Sequence, residues 1–428
     1  MSVSLADPIL LPCGQAVPNR ILKSAMTEGL ADASDNATEQ HQELYRRWSL
    51  GGAGLLLTGN VMIDRRHLEK AGNVVIEDES GLAALSAWAS AGQENGNQLW
   101  MQLSHPGRQC AKLNNKHPVS ASDVQLHLAG GFGKPRALTE PEIEDVIQRF
   151  ASSAKIAQKA GFSGVQLHAA HGYLISQFLS PVTNRRTDQW GGSLQNRARL
   201  LLKAIAATRQ AVGPAFPVSV KLNSADFQKG GFTLDECVTV VDWLNAAGID
   251  LLEISGGSYE APQLMGFSGD AATTELPPRQ SSLDREAYFI DYTSAIRKIA
   301  NMPVAVTGGF RSRSAMVDAV THGELDMVGI ARPFAADPEI ALGLLDSSLQ
   351  TVPVIEQQKR LGPGLLGINS PIGIVKMITM QGQVGWFAEQ ITRAANKQPA
   401  NPDIGVLPAM VKMIRNEMKT AKAREFQS

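Results

Sequence analysis

GVQLHAAHGYLISQFLSPVTNRRTDQWGGSLQNRAR, residues 164–199, carries both an architectural unit and its chemistry in one run. A short strand, Val165-Gln166-Leu167, delivers His168, His171 and Tyr173 into a polar loop. The loop passes Gly191-Gly192 and enters a helix after Ser193, a residue type suited to capping helix N-termini. Leu194, Ala198, Leu201, Leu202, Ile205 and Val212 then recur at spacings that line one helical face. Three hydrogen-bonding rings at the C-terminal end of a strand stand where an α/β unit meets its ligand. The HxxH spacing alone leaves a metal pair, two core histidines and coincidence open.

Seven further apolar runs, at 21–26, 54–59, 98–103, 217–222, 250–255, 303–308 and 327–331, alternate with helical patterns. With 164–169 they make eight strands. Runs such as Leu55-Leu56-Leu57 and the Pro303-Val304-Ala305-Val306 stretch lack polar alternation, as burial on both faces demands. Eight β/α repeats predict a (β/α)8 TIM barrel over residues 1–340. The opening PILLPCGQAVPNR segment reads as an N-terminal hairpin that plugs the barrel floor. Two long connections, His105 to Leu138 and Gly256 to Leu283, are expected to cap the site. Residues 341–428 read as a mainly helical C-terminal extension. Its last helix carries a stripe of Leu407, Met410, Val411, Ile414 and Met418, expected to dock on the barrel or on a second subunit of a homo-oligomer.

Forty Lys+Arg against 41 Asp+Glu in 428 residues give a formal charge of -1, which disfavours a nucleic-acid partner. Three scattered cysteines, Cys13, Cys110 and Cys237, fit a reducing compartment, and no cluster with metal-ligand spacing stands out. The N-terminus lacks the basic and apolar regions of a secretory signal, and no run of about 18 apolar residues exists to span a bilayer. A cytoplasmic protein with no membrane partner is expected.

The ordered string HAAHGYL, FLSP, NxRxD and WGGSxxNR resembles the old yellow enzyme family of FMN-dependent oxidoreductases. The resemblance covers roughly the first 340 residues and is of the single-domain type: the isolated cysteines speak against an iron–sulfur cluster, and the remaining length against a further dinucleotide domain. It implies FMN, with NADH or NADPH as reductant. Gln102 in MQLSHPGR would hold the pyrimidine edge, since a carboxamide both donates and accepts. Ala25 and Met26 would lie against the flavin, Thr27 would donate to its C4 carbonyl, and Gly59 would let the ring approach the backbone. Lys221, where relatives of this kind carry arginine, would keep a positive charge beside N1 but lose the planar fork. Gly308, Gly309, Ala331 and Arg332, in TGGF and GIARP, would hold the phosphate.

The same resemblance makes His168 and His171 the pair that binds a substrate carbonyl, with both rings aimed at one oxygen, and Tyr173 the proton donor. Arg185, Arg186, Asp188 and Arg197 read as loop-fixing ion pairs. Glu28-Gly29 and Ser104, where several relatives carry aromatic residues, predict a wider or more polar pocket. The implied activity is NAD(P)H-dependent, ping-pong reduction of an electrophilic alkene. An NAD(P)H oxidase, or a demethylase or dehydrogenase, of the same family is the alternative. From other classes come a Schiff-base aldolase built on Lys221 and a flavin-binding scaffold whose extension is the working part.

Overall fold

The computed structural model describes residues 3–127, 131–257, 290–367 and 370–425. At its centre are β1 (Ile21–Lys23), β2 (Leu55–Leu57), β3 (Gln98–Ser104), β4 (Gly164–Ala169), β5 (Val218–Asn223), β6 (Leu251–Ser255), β7 (Val304–Thr307) and β8 (Met327–Ile330). Each pairs in parallel with its neighbour in sequence, and β8 returns to β1, with Val328 opposite Ile21 and Ile330 opposite Lys23. The expected (β/α)8 barrel is therefore closed, and none of its eight strands is left with an open edge.

Closure explains the strand composition. Alternate residues face inward and stack in layers while the others pack beneath the helices, so both faces are dry. The lowest inward layer is apolar: Leu22, Leu55, Leu57, Trp100, Leu251, Ala305 and Met327 share one cluster with Ile9, Leu11 and Val17. Those last three come from the N-terminal hairpin, whose strands pair antiparallel with Ile9 opposite Val17, so it does plug the floor. Two residues further along the same faces the layer turns polar: Ser24, Gln102, Glu253 and Thr307, joined by Gln166 and Lys221, all buried. The catalytic end thus rests on a polar layer sealed from below.

The connection after β3 contains two short parallel strands, Val119–Ser120 and Arg136–Ala137. The other long connection, expected at 256–283, lies for the most part outside the described residues.

In the extension, the helices Gly373–Ala395 and Val406–Glu425 pack together, and Trp386, Phe387, Ile391 and Ala409 belong to the same apolar core as Trp48 and Phe334 of the barrel shell. Arg424 pairs with Asp35 at 2.8 Å and Glu417 with Lys70 at 3.4 Å. The expected stripe does not dock on the barrel. Leu407, Val411, Ile414 and Met418 are exposed, and the last helix instead turns its smaller residues inward, with Ala409 and Ala421 buried. Close approach decides this: a Cβ on Gly385 would lie 2.7 Å from the Ala409 carbonyl oxygen and 3.0 Å from the Met410 nitrogen, both backbone atoms that cannot swing away. Gly385→Ala is accordingly expected to destabilise the protein by about 1–3 kcal/mol, read as a lower urea midpoint, whereas an unchanged midpoint would mean that the two helices are not in this contact.

Candidate active site

β4 ends by placing three rings in mutual contact. The His168 and His171 centroids are 5.0 Å apart at 77°, and His168 and Tyr173 are 4.7 Å apart at 77°. Two consecutive residues in the left-handed region make the turn, His171 at φ 61° and Gly172 at φ 78°. For a non-glycine residue that conformation is held only where its surroundings over-determine it. Here the His171 amide donates to Asn223 Oδ1 at 3.1 Å, and its Nε2 meets Ser255 Oγ at 2.8 Å. Neighbouring strands β5 and β6 thereby clamp the bend.

Both imidazoles are held neutral. Desolvation pushes His168 well below its ordinary range, helped by His171 and by the Lys221 ammonium, while desolvation and Lys221 do the same to His171. The Ala170 amide donates to His168 Nδ1 at 3.2 Å, which leaves the proton of the neutral ring on Nε2 as a hydrogen-bond donor. His171 is not simply aimed at the same point, because its Nε2 already has Ser255 as a partner.

Tyr173 is 4% exposed, and its hydroxyl accepts from Asn60 Nδ2 at 3.1 Å. Asn60 Nδ2 also donates to Glu69 at 2.6 Å, and Thr27 Oγ1 donates to the same Glu69 oxygen at 2.9 Å. In this arrangement the Thr27 hydroxyl, expected to face the flavin C4 carbonyl, donates to the Glu69 carboxylate. Glu28 does not make the pocket more polar either: it is buried, accepting from Tyr45 Oη and from the Gly59 amide at 2.8 Å. Gly59 is demanded by the neighbouring chain, since a Cβ would lie 2.4 Å from the Met26 carbonyl oxygen and 2.2 Å from Glu28 Oε2.

Gln102 and Gln166 face each other across β3 and β4, and Gln102 Nε2 donates to Gln166 Oε1 at 2.7 Å. Ser104, on the same face as Gln102, has a buried hydroxyl with no partner among the described residues. Lys221, 3% exposed, forms an ion pair with Glu253 at 2.9 Å. It is engaged as an ammonium rather than as the free amine that a Schiff base requires. Directly after β7, Gly308 and Gly309 adopt φ 127° and 90°. Arg332 and Arg311 both reach Glu356 Oε1, at 3.1 and 2.6 Å. Ala331 is half-buried beside them, Ala25 packs on the floor cluster and Met26 on the main core. Of the loop residues, Arg186 pairs with Asp188 at 2.6 Å, Arg197 pairs with Glu236, and the Arg185 amide donates to Ser122 Oγ at 2.9 Å.

Sequence reasoning missed Asn60, Glu69, Glu253, Gln166 and Asn223. It also missed that Asp64 and His67 meet His105, with candidate ligand atoms within 4.8 Å of one another. Metal chemistry is not favoured there. Arg66 already chelates Asp64 at 2.8 and 2.9 Å, and His105 Nδ1 accepts from the Gly107 amide at 3.1 Å, which makes Nε2 a donor rather than a lone pair.

The donor set suits FMN: a carboxamide and an unpartnered buried hydroxyl for the ring, a buried ammonium, and two guanidiniums beside glycines in conformations other residues rarely adopt. A closed barrel with such groups at its C-terminal mouth defines a flavin oxidoreductase. The model of the NADH:flavin oxidoreductase / NADH oxidase family matches residues 5–345, and the chain belongs to that family, which includes the old yellow enzymes. FMN and a nicotinamide reductant are its cofactors.

Among its relatives, the NADH-dependent flavin oxidoreductase iliE of Hypocrea jecorina (strain QM6a) is 39% identical over 355 residues, 77% of this chain and 86% of that protein. The NADH oxidase of Thermoanaerobacter brockii is 33% identical over 326 residues, 76% of this chain and 48% of that protein. A 2-naphthoyl-CoA reductase solved with 2-naphthoyl-CoA is 27% identical at a TM-score of 0.73, covering 82% of this chain and 53% of that one. The old yellow enzyme homologue from Zymomonas mobilis gives 25% and 0.69, covering 86% and 100%.

The neutral imidazoles tie stability to pH. His41 is lowered to about 4, and His105 and His168 well below the ordinary value, all chiefly by desolvation. Below about pH 6.5 the unfolded chain binds protons at these positions that the folded chain refuses, so stability present above that pH is lost as pH falls. Each such group contributes about 1.4 kcal/mol per pH unit. Urea midpoints should fall between pH 7 and 5, and His168→Asn should flatten part of the slope; equal slopes would contradict a neutral His168.

Proposed function

We propose that the enzyme reduces the C=C bond of an activated alkene of the α,β-unsaturated carbonyl type, with NADH or NADPH as electron donor. The carrying observation is the cluster of His168, His171 and Tyr173, with both imidazoles neutral. When bound, FMN supplies hydride transfer, from nicotinamide in one half-reaction and to the alkene β-carbon in the other.

The residues of the chain do the rest. Gln102, Lys221, Gly308, Gly309, Ala331 and Arg332 would hold the cofactor, with Ala25, Met26, Thr27 and Gly59 forming the wall of the first two strands. Thr27 acts through Glu69 in this arrangement rather than as a direct donor. His168 Nε2–H donates to the substrate carbonyl oxygen, and the His171–Ser255 unit supplies the second polar contact, stabilising charge that grows on that oxygen. A neutral imidazole suits this, since it donates without surrendering a full proton.

Tyr173 Oη gives its proton to the α-carbon, and the Asn60 amide that donates to the same oxygen stabilises the phenolate left behind. The reductant and the alkene share one mouth, so they bind in turn and ping-pong kinetics follow. A reducing, cytoplasmic setting fits the three free cysteines, and no helix among the described residues is long and apolar enough to cross a membrane.

The test is anaerobic turnover of the holoenzyme with NADH or NADPH and a panel of enals, enones and nitroalkenes. Tyr173→Phe should slow alkene-dependent reoxidation by roughly 10²–10⁴-fold while leaving reduction by the nicotinamide nearly unchanged. If no member of the panel reoxidises the flavin and only oxygen does, the activity is that of an NAD(P)H oxidase.

A further inference from the structure

Lys221 and Glu253 face each other in register across β5 and β6, 2.9 Å apart, with side chains 3% and 0% exposed. Glu253 accepts from three donors. Its Oε1 takes Lys221 Nζ and, at 2.5 Å, Thr307 Oγ1, while Oε2 takes Gln166 Nε2 at 2.9 Å. Gln166 in turn receives Gln102 at 2.7 Å, and Thr307 meets Ser24 at 2.7 Å. Five of the eight strands therefore converge on one carboxylate, either directly or through one intermediary.

Among the described residues the charges in this layer sum to zero. The other titratable groups facing Lys221 among the described residues are His168 and His171, and both are held neutral, well below their ordinary range. Lys23 of β1 points the other way: its Nζ donates to the Leu57 carbonyl at 2.6 Å and lies over the Trp48 ring at 4.1 Å, and burial, helped by the Lys221 charge, lowers it to about 7.

We infer that Glu253 tunes the flavin through Lys221: by cancelling the ammonium's charge it leaves the pyrimidine beside a neutral ion pair, which stabilises an electron-rich ring less than a lone cation does. This rests on Lys221 lying against the cofactor, as proposed above. A paired charge acts as a dipole, whose field falls off faster than that of a monopole, and in a dry layer the difference is large. The loaded site is thereby a stronger hydride donor than one with Lys221 alone. Glu253 is a positioning residue here, since it reaches the cofactor only through Lys221 and, by way of Gln166, through Gln102.

Sulfite tests this without turnover. Its sulfur lone pair forms a bond to N5 of the oxidised flavin, and the displaced N5=C4a pair moves into the pyrimidine, which becomes anionic; the bleaching of visible absorbance reports the adduct. Four forms of the FMN-loaded protein make a ladder of net charge beside that pyrimidine: Glu253→Gln, wild type, the Lys221→Met/Glu253→Gln double variant, and Lys221→Met. Glu253→Gln should bind sulfite about tenfold or more tightly than wild type, Lys221→Met about tenfold or more weakly, and the double variant should return towards wild type. A merely structural Glu253 would weaken binding in both single variants.

Glu253→Gln affinity at or below wild type, with Lys221→Met still weakened, overturns the inference but keeps Lys221 beside the flavin. Equal affinities in all four forms overturn both. Should Glu253→Gln fail to fold, wild type decides alone. The slope of its midpoint potential against pH halves where the reduced ring loses its N1 proton. That break is expected at or above the pH seen for free FMN in the same buffer, and a break more than about one unit lower overturns the inference.

Discussion

A lone charge inside a closed barrel costs several kcal/mol in lost hydration, so a buried lysine on one strand obliges its surroundings to supply an anion. Here the obligation is met by the adjacent strand at the same register, Lys221 opposite Glu253. Much of the polar layer follows from that pairing. The second carboxylate oxygen takes Gln166, which fixes Gln102; the first takes Thr307, which fixes Ser24. The apolar floor beneath, closed by the N-terminal hairpin, keeps water from entering from below and weakening these contacts. The rings at the end of β4 sit on this layer, with the Lys221 ammonium helping to keep both imidazoles neutral.

The eight strands were legible because burial on both faces leaves a strong imprint: uninterrupted aliphatic residues bounded by glycine, proline and helical periodicity. All eight fall within a few residues of the expected positions. The histidines and tyrosine were legible because they cluster within six residues. Glu253 was not, although its signal was present. A glutamate inside Leu251-Leu252-Glu253-Ile254-Ser255 breaks an apolar run just as Lys221 does, and two opposite charges on inward positions of adjacent strands must meet. Asn60 and Glu69 had no such signature, because their partnership with Tyr173 and Thr27 depends on how two loops fold over the mouth. The Thr27–Glu69 contact was illegible for the same reason: a hydroxyl's direction is set by its strongest nearby acceptor, which no strand pattern reveals.

The C-terminal stripe illustrates a different limit. Helical periodicity marks Leu407, Val411, Ile414 and Met418 as a face, but the contact with the helix Gly373–Ala395 is chosen by closeness of backbones, through Gly382, Gly385 and Ala409. Dispersion between tightly apposed main chains rewards small residues, which a scale of side-chain hydrophobicity scores low. The extension also reaches the mouth, where Glu356 holds Arg311 and Arg332 together. Two guanidiniums that would repel each other are thus kept side by side at the place where a phosphate is expected.

Because the eighth strand zips onto the first, residues some 306 positions apart in the chain, such as Arg20 and Asp326, become neighbours only at the final step of assembly. During synthesis the first strand emerges long before its partner and must wait with one edge of backbone N–H and C=O groups unpaired. Such late, long-range closure slows folding and lengthens the time for which strand edges stand open to pairing with another chain.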